Sequence, residues 1–195
     1  MGREFELKYS ANAQAFAALG AKWEDFTVIQ METTYFDTPD GALAQRHITL
    51  RRRMENGISV CTVKTPDGTH GRGEWELECE DIEAAVPMLC KLGASEELLK
   101  LTENGLKIAC GARFTRRAKL VEITGCTVEI ALDEGVLIGG GRELPLREVE
   151  VELKDGEEAI AVAFAQALAA EYGLVSEPKS KFARAQKLAK GDQNG

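Results

Sequence analysis

The stretch Glu4-Phe5-Glu6-Leu7-Lys8 alternates charged and apolar side chains one by one. In an extended strand successive side chains point to opposite faces, so Glu4, Glu6 and Lys8 share one face while Phe5, Leu7 and Tyr9 share the other. Alone, this describes any half-buried strand with a solvated side. The pattern decides the fold because the chain repeats it.

Working outward, residues 146–153 place Glu148, Glu150 and Glu152 on one face, continued by Lys154, against Val149, Val151 and Leu153. Residues 48–54 put Thr49, Arg51 and Arg53 together, and alternation sends Arg52 the other way. Glu55-Asn56-Gly57 reads as a hairpin turn into residues 58–64, where Val60, Thr62 and Lys64 share a face. Residues 74–80 alternate strictly, with Glu74, Glu76, Glu78 and Glu80 aligned. Residues 28–35, 112–117, 119–124 and 126–133 complete the strands. Arg116 and Arg117 face opposite ways, and Gly135 and Gly139-Gly140-Gly141 read as turn or loop signals.

Helices are expected over 11–19 with Ser10 as cap, over 82–92 with Asp81 as cap, and from an Asp155/Glu158 capping box to Tyr172. A final basic helix is expected over 180–190, then a disordered tail over 191–195. About eight short strands suggest an antiparallel barrel. Since one face carries charge on strand after strand while the other is apolar, the expected fold is α+β: a closed antiparallel barrel with a charged tunnel inside and helices packed on its outer face. Residues 1–190 read as one domain.

Composition narrows the function. The chain has 195 residues, 44% hydrophobic and 29% charged, and no apolar run approaches the ~20 residues of a membrane helix. Without an apolar segment behind Arg3, no secretory signal is expected, and the location reads as cytoplasmic. The five cysteines are odd in number and widely spaced, which fits reduced thiols better than a zinc cluster. His47 and His70 read as surface or loop residues. A net charge of −8 argues against a nucleic acid duplex or an anionic membrane as partner. The pattern does not fix the oligomeric state.

Carboxylates crowded in a channel repel unless cations neutralise them. Glu and Asp oxygens without His or Cys are hard ligands, suited to Mg²⁺ or Mn²⁺. Lys8, Arg51, Arg53, Lys64, Arg72 and Arg116 then call for a small polyanion, since guanidinium groups take phosphate oxygens bidentately. Metal and several cations around a polyanion describe a triphosphate site.

These residues resemble the CYTH domain of the triphosphate tunnel metalloenzymes. Glu4-Phe5-Glu6-Leu7-Lys8 is similar to the ExExK signature, Tyr35-Phe36-Asp37-Thr38-Pro39 to YFDTP, Leu50-Arg51-Arg52-Arg53 to LRxR, and Thr62-Val63-Lys64 to the lysine strand. Arg72-Gly73-Glu74-Trp75-Glu76 resembles RxExE, Leu132-Asp133-Glu134-Gly135 LDxG, Glu148-Val149-Glu150-Val151-Glu152 ExExE, and Ser180-Lys181 the SK near the C-terminus. The look is that of bacterial inorganic triphosphatases that couple this domain to a helical CHAD domain, although this sequence ends without one.

The resemblance implies a tunnel barrel, metal dependence and chemistry on a triphosphate. With the residue pattern it gives Glu4, Glu6, Asp133, Glu148, Glu150 and Glu152 as metal ligands, Asp133 through water or else as the start of a turn. It gives Lys8, Arg51, Arg53, Lys64, Arg72, Arg116 and Lys181 as triphosphate contacts. Glu4, Glu6 and Lys8 carry the catalytic assignment, and Glu74 and Glu76 line the tunnel or end a solvated strand. Tyr35 and Phe36 read as packing residues, Asp37-Thr38 as a turn. The expected reaction is hydrolysis of tripolyphosphate to pyrophosphate and phosphate. The alternatives are a class IV adenylate cyclase, a thiamine or nucleoside triphosphatase, and a non-catalytic polyphosphate-binding module.

Overall fold

The computed structural model describes residues 5–66 and 72–191, with Arg72 described in its backbone only. Glu4 and His70, and all of the expected tail beyond Gly191, lie outside the described residues, and the metal role of Glu4 rests on the sequence alone.

The strands are β1 (Glu6–Ser10), β2 (Thr27–Asp37), β3 (Thr49–Glu55), β4 (Ile58–Pro66), β5 (Arg72–Glu78), β6 (Lys107–Ile123), β7 (Cys126–Gly139), β8 (Arg142–Gly156) and β9 (Val175–Ser176). The helices are α1 (Ala13–Lys22), α2 (Ala42–Gln45), α3 (Ile82–Lys91), α4 (Glu97–Leu101), α5 (Glu158–Tyr172) and α6 (Lys181–Lys190). All strand pairs are antiparallel, in the order β5-β4-β3-β2-β6-β7-β8-β1-β9. The fold is therefore α+β, with one large antiparallel sheet.

The expectation of a closed barrel is corrected. Among the described residues β5 and β9 are free edges, and β9 covers only Tyr9 and Ser10 of β1. Side-chain alternation tells which face of a strand is buried and carries no information on whether the two edge strands meet. The sheet is nonetheless strongly curved. Lys64 of β4 and Glu6 of β1 line one cleft although five strands separate them in the sheet.

The turns follow local chemistry. Asn56 and Gly57 both have positive φ, as a two-residue hairpin linking β3 and β4 requires, and the Asn56 side chain accepts a bond from Gln30 N–H at 2.8 Å. Asn12 rather than Ser10 caps α1, accepting from Ala15 N–H, while Asp81 caps α3 and Ser180 caps α6 as expected. The Asp155/Glu158 capping box does not form, because β8 runs on to Gly156 and Glu157 becomes the cap residue without a side-chain bond.

Two expected strands over 112–124 are one continuous β6, and Gly135 lies within β7 rather than in a turn. A Cβ at Gly135 would collide with the Arg113 carbonyl, so glycine there permits a close strand approach.

Apolar faces are buried on both ends of the convex side. Leu7, Tyr9, Val128, Ile130, Leu132, Val149 and Val151 pack under α1 and α5, while Leu50, Cys61, Val63 and Trp75 pack with α2, α3 and α4. The sixth helix lies on the other face of the sheet, the side to which the assignment of Lys181 to the site sends it. α6 lies on the concave face, where Ala185 and Ala189 meet Leu137, Leu146, Ala112 and Phe114, and only glycine at 139 lets it sit so close. No helix of the described residues is long and apolar enough to cross a membrane.

Candidate active site

The concave face gathers the charges. Strand register places Glu6 opposite Glu152, Lys8 opposite Glu150, Arg116 opposite Asp133 and Lys64 opposite Glu74. Apart from Glu74 and Asp133, these side chains and those of Arg51 and Arg53 surround a cleft of about 150 Å³, with Thr33, Thr49, Tyr35, Phe114 and Phe182 also in its wall. The volume is below the ~300–1,000 Å³ of pockets built for drug-sized ligands, which suits a compact anion.

At one end of the cleft three acids meet. Asp133, Glu148 and Glu150 are all buried, and one carboxylate oxygen from each lies within 4.8 Å of the others. The Arg116 guanidinium donates to Asp133 in a fork, Nε to Oδ1 at 2.8 Å and Nη2 to Oδ2 at 2.7 Å, and also donates to Glu150. Lys181 reaches all three acids from α6, 2.6 Å from Glu150 Oε1 and in direct contact with Glu148. Arg184, one helical turn on, donates to Glu148.

The acids respond unequally. Burial, helped by the neighbouring Glu150 and opposed by Lys181, pushes Glu148 up to about 7. Burial also resists ionisation of Glu150, but Lys181 and Arg116 outweigh it and hold that carboxyl well below the usual range. Lys181 and Arg116 hold their protons more tightly than usual, because the surrounding carboxylates overcome the cost of burial. The cluster is thus charge-matched from within the chain. Its oxygen-only donors fit a hard divalent cation.

Across the cleft the cations share a smaller set of acids. Lys64 lies 2.9 Å and Arg51 3.6 Å from Glu74, Lys8 lies 3.3 Å from Glu6, and Arg53 pairs with Glu55. The Nε–H groups of Arg51 and Arg53 are buried with no hydrogen-bond partner among the described residues. Burial, then the like charge of Arg51, lowers the proton affinity of Arg53. Two guanidinium groups side by side in the cleft wall make a cationic surface suited to an anion.

Of the residues expected in the site, Glu6, Lys8, Arg51, Arg53, Lys64, Arg116, Glu150, Glu152 and Lys181 line the cleft, and Asp133 and Glu148 lie at its buried end. Glu152 stands apart from the buried trio, paired with Lys154 at 2.8 Å. Asp133 sits inside β7, which rules out the reading of it as a turn residue. Glu74 pairs with Lys64 and Arg51, and Glu76, although exposed, stands on the same face with its charge acting on Arg53. The Arg72 side chain lies outside the described residues.

Arg52 and Arg117 point away as alternation predicts, Arg52 to the Glu80 carbonyl and Arg117 over the rings of Phe16 and Phe26. Asp37 and Thr38 serve the turn, accepting from Leu43 and Ala42 N–H, and His47 is exposed. Sequence reasoning missed Arg184 and Phe182. Arg184 had a signal, being three residues beyond Lys181 on one helix face.

With this geometry in place, comparison with known proteins locates the chain. A family model for the CYTH domain matches residues 2–185. An inorganic triphosphatase of Haemophilus influenzae is 31% identical over 193 residues, 94% of this chain and 54% of that protein. The chain therefore spans about half the length of this curated relative. Among solved structures, a Hippeastrum protein considered an adenylyl cyclase and found to have a dominant triphosphatase activity superposes with a TM-score of 0.66 at 19% identity, over 95% of this chain and 96% of that one. A Pyrococcus horikoshii protein gives 0.60 at 23% identity, over 92% and 96%. At such identities the likeness is one of fold. The match over nearly the whole chain, with the charged strands in order on one concave face, shows that this chain belongs to the CYTH domain family.

Proposed function

We propose that this chain hydrolyses inorganic tripolyphosphate to pyrophosphate and phosphate with the help of Mg²⁺ or Mn²⁺. The observation that carries the reading is the convergence of Lys8, Arg51, Arg53, Lys64 and Arg116, from four strands, on one small cleft that also holds carboxylates. The likeness to an inorganic triphosphatase supports it.

Asp133, Glu148 and Glu150, with Glu6 and Glu152 beside the cleft and Glu4 just ahead of β1, would hold the metal. Once bound, such an ion polarises a phosphoryl oxygen and eases deprotonation of water. The remaining work falls to the chain. Arg51 and Arg53 offer guanidinium N–H groups to phosphate oxygens, Lys8 and Lys64 add point charges, and together they fix the chain of phosphates in line for attack. Water oxygen bonds to the terminal phosphorus as the bridging P–O bond breaks, and the proton passes to the medium through a cleft carboxylate. Positioning and charge neutralisation dominate because the transferred group needs little covalent help.

The test is phosphate release from tripolyphosphate with Mg²⁺ or Mn²⁺ titrated, for wild type, Lys8→Ala and Arg53→Ala. Wild type should turn over, and each variant should lose about 10²-fold or more in kcat/KM. Saturable binding without turnover at any metal concentration would instead indicate a polyphosphate-binding module, and cyclic AMP with pyrophosphate from ATP would indicate a cyclase.

A further inference from the structure

Phe182 belongs to the same helical turn as Lys181 but does a different job. Its ring packs on Tyr35 of β2, centroids 5.0 Å apart and planes tilted by 45°, and both side chains stand in the wall of the cleft. The pair is anchored from beneath. α6 rests on the sheet through Ala185 and Ala189 over Gly139 and Gly140, and Phe182 is packed in the apolar cluster with Met31, Phe114 and Cys110. The cleft wall thus sets a packed aromatic pair among its cations, and this pair offers a polyphosphate no hydrogen-bond donor except the Tyr35 hydroxyl.

We infer that the Phe182–Tyr35 pair is a selectivity wall that admits an unsubstituted short polyphosphate and excludes triphosphates esterified with a bulky group. The inference rests on the triphosphate reading above and specifies its substrate. Inorganic tripolyphosphate carries no organic group, so each of its phosphates can face the cations of the cleft. A nucleoside triphosphate adds a ribose and base to one terminal phosphate, and in a cleft of about 150 Å³ the two packed rings take up wall that these groups would need. Exclusion by shape of this kind is a difference of affinities built from a clash rather than from a better contact.

Phe182→Ala and Phe182→Trp separate the outcomes, with tripolyphosphate and ATP as ligands. Binding is measured by calorimetry and kcat/KM by phosphate release, each with Mg²⁺. Wild type should favour tripolyphosphate. Phe182→Ala should raise the ATP-to-tripolyphosphate ratio about tenfold or more in both measurements, and Phe182→Trp should not raise it. Far-ultraviolet circular dichroism and the melting temperature confirm that α6 stays folded in both variants. If Phe182→Ala is folded and leaves the ratio within about twofold of wild type, or if Phe182→Trp raises it as much, the wall is overturned. A wild-type protein that binds tripolyphosphate without hydrolysing it overturns the proposed activity alone, because the binding ratio still tests the wall. Wild type that binds neither ligand overturns both.

Discussion

Lys181 Nζ lies 2.8 Å from Asp133 Oδ2, although Asp133 is fully buried inside β7 and Lys181 belongs to a helix that crosses the concave face. Three acids without a cation would repel one another at this depth. The lysine stands where a bound cation would have its charge, so α6 acts as an internal counterion for the cluster.

Lys181→Ala should therefore destabilise the metal-free protein by about 3 kcal/mol, since one partner of a buried pair is removed and its charges are left uncompensated. The same variant should gain more from Mn²⁺ than wild type does, because the ion meets acids no longer neutralised from α6. Thermal melts of both proteins with and without millimolar MnCl₂ check this. Equal Mn²⁺-induced shifts in the two proteins would show that the lysine and the ion do not share the acids.

A pH dependence arises from Glu148. Its folded pKa of about 7 lies above the ~4.3 of an unfolded glutamate, so between these values the folded state binds the extra proton. Stability then falls as pH rises through that window. Glu150, held low by Lys181 and Arg116 against the cost of burial, acts in the opposite direction and only below the window. Metal-free melts of wild type from pH 5 to pH 7 should show this decline, and Glu148→Gln should flatten it. An equally steep decline in Glu148→Gln would assign the effect to another group.

The charged face was legible because a period of two is a strong constraint. It separated Arg51 and Arg53 from Arg52, and Arg116 from Arg117, each of which the structure places on the side expected. What sequence could not reach was set by longer-range geometry. Closure depends on whether β5 and β9 meet, and no side-chain pattern encodes that. The seat of α6 depends on Gly139, whose role as a contact surface looks in sequence like one glycine of a loop. Glu76 shows what parity alone leaves out, since it shares the face of Glu74 and its charge acts on Arg53, yet its place further along the edge strand leaves it exposed.

Gly139 offers the sharpest test of how α6 is held. A Cβ there would collide with the Ala185 carbonyl and lie 2.7 Å from Ala189 N, backbone atoms that cannot yield without moving the helix. Gly139→Ala should cost about 1–3 kcal/mol through this overpacking. It should also speed hydrogen exchange at the amides of α6, and by loosening Lys181 and Phe182 it should lower tripolyphosphate turnover. Gly141→Ala serves as the comparison. Its Cβ would meet nothing within 4 Å, so its cost of about 1–2 kcal/mol comes only from the positive φ of 72°. Exchange in α6 should then stay at the wild-type rate. If both variants loosen α6 equally, the close contact at Gly139 is not what seats the helix, and its position on the concave face must come from the ion pairs of Lys181 and Arg184 instead.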